Sequence, residues 1–140
     1  MLGREIVTES GKVTGMRILP GEGGRYVKNE VSFQAQAKVL GMDGTDMGTY
    51  TVYERIPGQL YGEGQGIIMT PEGGAIWNGF GVGTPTGEGM GMKWAATISF
   101  QTNVPALMAL NNMIGVVEHE TDDDNNVKST AWEWTVDTGE

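Results

Sequence analysis

Cysteine is absent from the 140-residue chain. That excludes disulfide frameworks, thiolate zinc sites, iron–sulfur clusters and thiol nucleophiles together. Basic residues are scarce, 9 Lys and Arg against 18 Asp and Glu, for a net charge of −9. So acidic a surface gains nothing from a phosphate backbone and is repelled by an anionic bilayer, so neither nucleic acid nor membrane is expected as a partner. Long hydrophobic runs are missing too. The longest, residues 104–110, falls far short of the ~18–20 residues that span a bilayer, and residues 1–5 open into polar sequence rather than a signal peptide. The expectation is a soluble, cytoplasmic protein.

Glycine, by contrast, is abundant: 23 of 140 residues, more than twice the typical ~7%. Hydrophobic residues still make up 39% and no period of three runs through the chain, so the glycine is positional rather than collagen-like. A chain of this length buries roughly 65–70% of its unfolded surface. With no repeat and no linker, residues 1–140 read as one domain.

Stretches rich in Val, Ile, Thr, Tyr, Phe and Trp recur at residues 5–8, 12–19, 26–40, 47–56, 59–70, 74–82, 92–102, 114–121 and 127–136, punctuated by Gly, Pro, Asn and Asp. In 26–40, Val31, Phe33, Ala35, Ala37 and Val39 share one parity and Glu30, Ser32, Gln34, Gln36 and Lys38 the other, giving one buried and one wet face. Long strands in series with short links predict an all-β fold, a closed antiparallel β-barrel of about eight strands, because closure removes the edges. A β-sandwich is the alternative. One short helix is expected at residues 105–112, with proline at its start, Leu107, Ala109 and Leu110 to bury, and Asn111-Asn112 as a stop. Such a helix suffices to plug one end of a barrel. Phe33, Val39, Ile68, Phe80, Ile98 and Phe100 are the expected core.

Residues 60–83 carry the most distinctive pattern. Gly62, Gly64 and Gly66 alternate along one stretch and Gly79, Gly81 and Gly83 along the next, so each trio lies on one face of its strand. Pro71 suits the second position of a type I turn and Gly73 the left-handed position after it, predicting a three-residue loop that sets Gly64 against Phe80 and Gly81 against Glu63. A two- or four-residue loop pairs glycine with glycine instead and leaves a bare backbone stripe open to a ligand. In the three-residue register Tyr61, Glu63, Gln65, Ile67 and Trp77 share one face of the hairpin. Leu60, Ile68, Ile76, Phe80 and Val82 occupy the other, which is expected to be core. If the mixed face points inward, the lumen holds a carboxylate, an amide, a phenol and an indole, the groups of a small-molecule pocket. Tyr53, Tyr61, Glu63, Gln65 and Trp77 are therefore the ligand-binding candidates.

Other motifs fall short of a chemistry. The glycine runs lack the following helix of a dinucleotide fingerprint and the Gly-Lys-Ser/Thr of a P-loop, so no cofactor is expected. His119 lies between Glu118 and Glu120, but alternation turns both neighbours to the opposite face, and the expectation is an exposed histidine at a polar strand end. Asp122-Asp123-Asp124-Asn125-Asn126 imitates the start of a calcium loop. It has Val127 where that loop needs glycine, and strands flank it, so a solvated hairpin turn and no metal are expected. Trp132 and Trp134 share a face and read as packing anchors. No residue can be assigned as catalytic.

Three runs resemble an uncharacterised prokaryotic group of small glycine-rich β-barrel proteins: Tyr61-Gly-Glu-Gly-Gln-Gly66, the Trp77-x-Gly-x-Gly-x-Gly83 strand and Leu110-Asn-Asn-x-x-Gly-Val116. The strand count and glycine-rich hairpins are also similar to the barrel of allene oxide cyclases and dirigent proteins. The resemblance implies a closed antiparallel barrel with a lumen suited to an apolar molecule, and a homo-oligomer. Three functions stay open. The first is a non-enzymatic protein that binds a small apolar or amphipathic molecule in its lumen. The second is a cyclase or isomerase in which Glu63 handles a proton and Tyr53 or Tyr61 supports an oxyanion. The third is a structural or interaction protein with a filled barrel.

Overall fold

The computed structural model describes residues 2–21, 27–87 and 89–136. Eight strands follow in chain order: β1 (Leu2–Leu19), β2 (Lys28–Val39), β3 (Met42–Ile56), β4 (Gln59–Thr70), β5 (Gly73–Pro85), β6 (Met92–Thr102), β7 (Ile114–Thr121) and β8 (Asn126–Trp134). Each pairs antiparallel with its neighbour in sequence, and β8 pairs with β1, so the sheet closes into a barrel. The barrel expected from the sequence is what forms, and not a sandwich. β3 begins earlier than the pattern suggests, because Leu40 and Gly41 take φ of 48° and 79° and make a two-residue hairpin turn. β1 is continuous through Gly11, which pairs with Ala35 on one side and Val127 on the other.

Alternation sorts the two faces. Val31, Phe33, Ala35, Ala37 and Val39 of β2 all point inward and are at most 7% exposed. Phe33, Val39, Ile68 and Phe100 are core as expected, and Ile98 packs against it partly buried. Phe80 is a correction: it is 57% exposed, on the outer face. Trp132 and Trp134 are not core anchors either, because β8 buries Val127, Ser129 and Ala131 and turns its indoles outward.

The short helix forms at Pro105–Asn112 as a 3-10 helix and joins β6 to β7. Its type follows from its sequence. Val104, Leu107, Leu110 and Met113 repeat every three residues, and a helix of three residues per turn stacks them on one side. Leu107 and Leu110 are wholly buried against Ile6, Val39, Ile68 and Phe100. Asn111 fastens the plug to β6, accepting from Thr102 N at 2.8 Å and donating to Thr102 O at 2.9 Å. Leu107→Ala should therefore cost about 3 kcal/mol of unfolding free energy in a urea melt. Met108→Ala, on the exposed side, should cost about 0.5 kcal/mol or less. Equal losses would show that the helix is not a plug. Among the described residues no helix is long and apolar enough to cross a membrane.

Candidate functional site

The glycine hairpin decides the shape of the lumen. β4 and β5 meet through a two-residue turn, with Thr70 opposite Gly73, so Gly62 faces Gly81 and Gly64 faces Gly79. The three-residue register is thus overturned. Glycine meets glycine at these two positions only, whereas Gly66 faces Trp77 and Gly83 faces Leu60, so the full glycine ladder expected for a two- or four-residue loop does not form either; both trios line the interior. The reason lies in other strands. A Cβ on Gly48 or Gly66 would come within 2.6 Å of the Trp77 ring, and one on Gly62 or Gly83 within 3.0 Å of the Trp94 ring. Glycine here makes room for two indoles that lie flat on the sheet.

Between the indoles, Gly64 and Gly79 supply no side chain, and a cavity of about 100 Å³ remains. Its wall includes Glu9, Phe33, Asp46, Tyr50, Trp77, Trp94 and His119. The rings are mutually packed: Phe33 stacks near Trp77 with centroids 6.3 Å apart, and His119 lies 5.6 Å from both Phe33 and Tyr50. The space accommodates several waters or one small molecule.

Two acids are buried in this lumen, Glu9 at 9% and Asp46 at 3% exposure. Trp77 Nε1 donates to Asp46 Oδ1 at 2.8 Å, and the Glu9 and Asp46 carboxyls are close enough to influence each other's titration. Burial, then the Asp46 contact, pushes Glu9 up to about 10. Burial also raises Asp46, against the lowering effect of its bonds from Glu9 and Trp77. Glu9 therefore keeps its proton at neutral pH, and Asp46 holds its own more tightly than a free aspartate does. Desolvation pushes His119 down to about 4 and Tyr50 up to about 12, so both are neutral. Glu9 Oε2, Trp94 Nε1 and His119 Nε2 are shut off from solvent and have no hydrogen-bond partner among the described residues. Such a site can bind polar atoms and can give or take a proton.

The ligand candidates read from the sequence separate. Trp77 is in the lumen, while Tyr53, Tyr61, Glu63 and Gln65 occupy the outward-facing parity of their strands, and Glu63 and Phe80 also border the cavity. There they form a surface cluster: Tyr61 Oη donates to Glu63 at 3.1 Å, Arg55 covers the Tyr61 ring at 4.2 Å and the Tyr53 and Tyr61 rings meet at 5.5 Å. Tyr61, Glu63, Gln65 and Phe80 rim an open surface depression of about 530 Å³. Ile76, Phe80 and Val82, expected as core, share that outer face. His119 is a second correction, half-buried on the lumen side rather than exposed. Its parity with Gly115 and Val117, both buried, was the available signal. The acids Glu9 and Asp46 were missed altogether, although each shares its strand parity with small or apolar residues. The acidic run folds as the expected hairpin turn, with Asp122 Oδ1 accepting from Asp124 N and Asn126 N at 2.9 and 2.8 Å.

No family model and no curated protein matches the sequence. Solved structures do match the fold. A conserved protein of unknown function from Rhodopseudomonas palustris superposes with a TM-score of 0.76 at 15% identity, over 96% of this chain and 99% of that one. A protein of unknown function from Clostridium acetobutylicum gives 0.77 at 14%, over 94% and 98%. A β-barrel-like protein from Acinetobacter baumannii gives 0.75 at 12%, over 95% and 94%. An enzyme from Penicillium herquei is more distant, with a TM-score of 0.58 at 14%, over 93% and 92%. At these identities the likeness is one of fold.

Proposed function

We propose that the barrel binds one small, largely apolar or amphipathic molecule in its lumen. The observation that carries this reading is the set of buried polar atoms, Glu9 Oε2, Trp94 Nε1 and His119 Nε2, that have no partner among the described residues and belong to residues around an unfilled aromatic cavity. A buried polar group without a partner costs about 1–3 kcal/mol, and a ligand bearing one or two polar atoms recovers it. The outer depression has no such need, because its polar groups face water. Protein purified from its own host should carry one low-mass molecule per chain in gentle native mass spectrometry and lose it on denaturation. A bare mass under both conditions, together with Trp77 and Trp94 resonances that no small aromatic probe shifts, would sink the proposal.

A second reading, an isomerase or cyclase similar to allene oxide cyclases, is favoured by the proton that Glu9 keeps beside Asp46. The barrel's likeness to the Penicillium herquei enzyme agrees with it. In this reading the lumen acids take the proton-handling part first considered for Glu63. Glu9→Gln separates the two readings: a binder keeps its affinity for a neutral ligand, whereas an acid–base enzyme keeps binding and loses turnover.

A further inference from the structure

The acid pair in the lumen is electrically incomplete. Two carboxyls meet in an apolar lumen with no cationic side chain beside them, and any negative charge they carry is costly unless an opposite charge meets it. No lysine or arginine is among the residues lining the cavity. His119, the one nitrogen base there, is kept neutral by burial, and Tyr50 keeps its proton. Trp77 gives Asp46 a single uncharged hydrogen bond. Glu9 Oε2 and the deeply buried His119 Nε2 have no partner among the described residues. The remaining wall is aliphatic and aromatic apart from Ser129, and the faces of Phe33, Tyr50, Trp77 and Trp94 attract cations. A metal ion does not suit the site, because no three His, Cys, Asp or Glu side chains gather among the described residues and hard cations require six or more oxygens.

We propose that the lumen takes a small organic cation, a protonated amine on an apolar body, with its ammonium donating to Glu9 and Asp46 and its body against the aromatic wall. This rests on the lumen-binding reading and goes beyond it by fixing the ligand's charge. A neutral molecule supplies no counter-charge to the two carboxyls, and an anion adds a third acid to them. The chain's net charge of −9 also draws cations toward the protein.

The test is a titration at neutral pH with benzylammonium, benzyl alcohol and benzoate, read from the indole N–H resonances of Trp77 and Trp94. Trp132 and Trp134, outside the barrel, serve as internal references. Benzylammonium should bind about ten-fold or more tightly than benzyl alcohol, a difference of about 1.4 kcal/mol, and benzoate should not bind. Asp46→Asn should erase that preference, bringing benzylammonium affinity down to that of benzyl alcohol. Equal affinity of the wild-type protein for benzylammonium and benzyl alcohol, or a preference for benzoate, overturns the cation while lumen binding stands. If none of the three moves the lumen indoles at millimolar concentration, both readings fall. The wild-type comparison decides the matter even where the variant does not fold.

Discussion

Raising the pH from 6.5 to 9 should lower the unfolding free energy of the protein by about 3 kcal/mol, and Glu9→Gln should remove most of that loss. The sign follows from proton counts. Glu9 is raised from 4.5 to about 10 in the fold, so over that span the folded protein holds a proton that the unfolded chain has released. Its stabilisation is complete below pH 4.5 and drains away as pH rises, by about 1.4 kcal/mol per unit. Asp46, also raised by burial, pulls the same way. His119 works in the opposite sense. Lowered from 6.5 to about 4, it contributes stability above pH 6.5 that is lost as the pH falls toward 4. The opposing slopes overlap on the acid side of neutrality, and between pH 6.5 and 9 the Glu9 slope is no longer opposed by His119. Urea melts across this range, with the Gln variant alongside, check the assignment; parallel curves for the two proteins would place the alkaline loss elsewhere.

Gly79→Ala should destabilise the barrel by about 3 kcal/mol, the upper part of the range for overpacking. A Cβ at this position meets the Thr97 carbonyl oxygen and the Ile98 side chain of β6. The carbonyl belongs to a paired strand, so relief requires the β5–β6 ladder itself to shift. The matched control is Gly15→Ala, at the β1 irregularity, where an added methyl has nothing within 4 Å. Its effect should stay within about 0.5 kcal/mol. Chemical denaturation of both variants settles the comparison, and a Gly79 variant as stable as the control would mean that the lumen-facing glycines are not set by steric contact.

The contrast between β2 and the β4–β5 hairpin shows how far the sequence can be read. β2 buries one face and wets the other, so Val31 to Val39 announce the interior by parity alone. The hairpin hides its inward face because part of the volume over its glycines comes from elsewhere: Trp94 of β6 covers Gly62 of β4 and Gly83 of β5, while Trp77 of β5 reaches across to Gly66 of β4 and Gly48 of β3. No local pattern contains that information. Bulky Ile76, Phe80 and Val82 consequently looked like core and face outward, and Tyr61 and Glu63 went with them. The plug was legible because its proline start, its buried leucines and its Asn111-Asn112 stop are contiguous in the chain. The acid pair was not, since Glu9 and Asp46 come from β1 and β3, strands joined only through β2.

The seam between β1 and β8 sets Leu2 beside Trp134 and Lys12 beside Asn126. Every other pairing joins strands adjacent in the chain, so seven can form by local zippering, and this one requires the two extremes of the described sequence to find each other. Loop closure over such a separation is entropically expensive and makes folding slow, on the order of milliseconds to seconds for such topologies. Until it closes, the sheet has two unsatisfied edges, each a template for another chain. Refolding yield should therefore fall with protein concentration, and a kinetic competition between seam closure and intermolecular strand pairing governs how much native barrel is recovered.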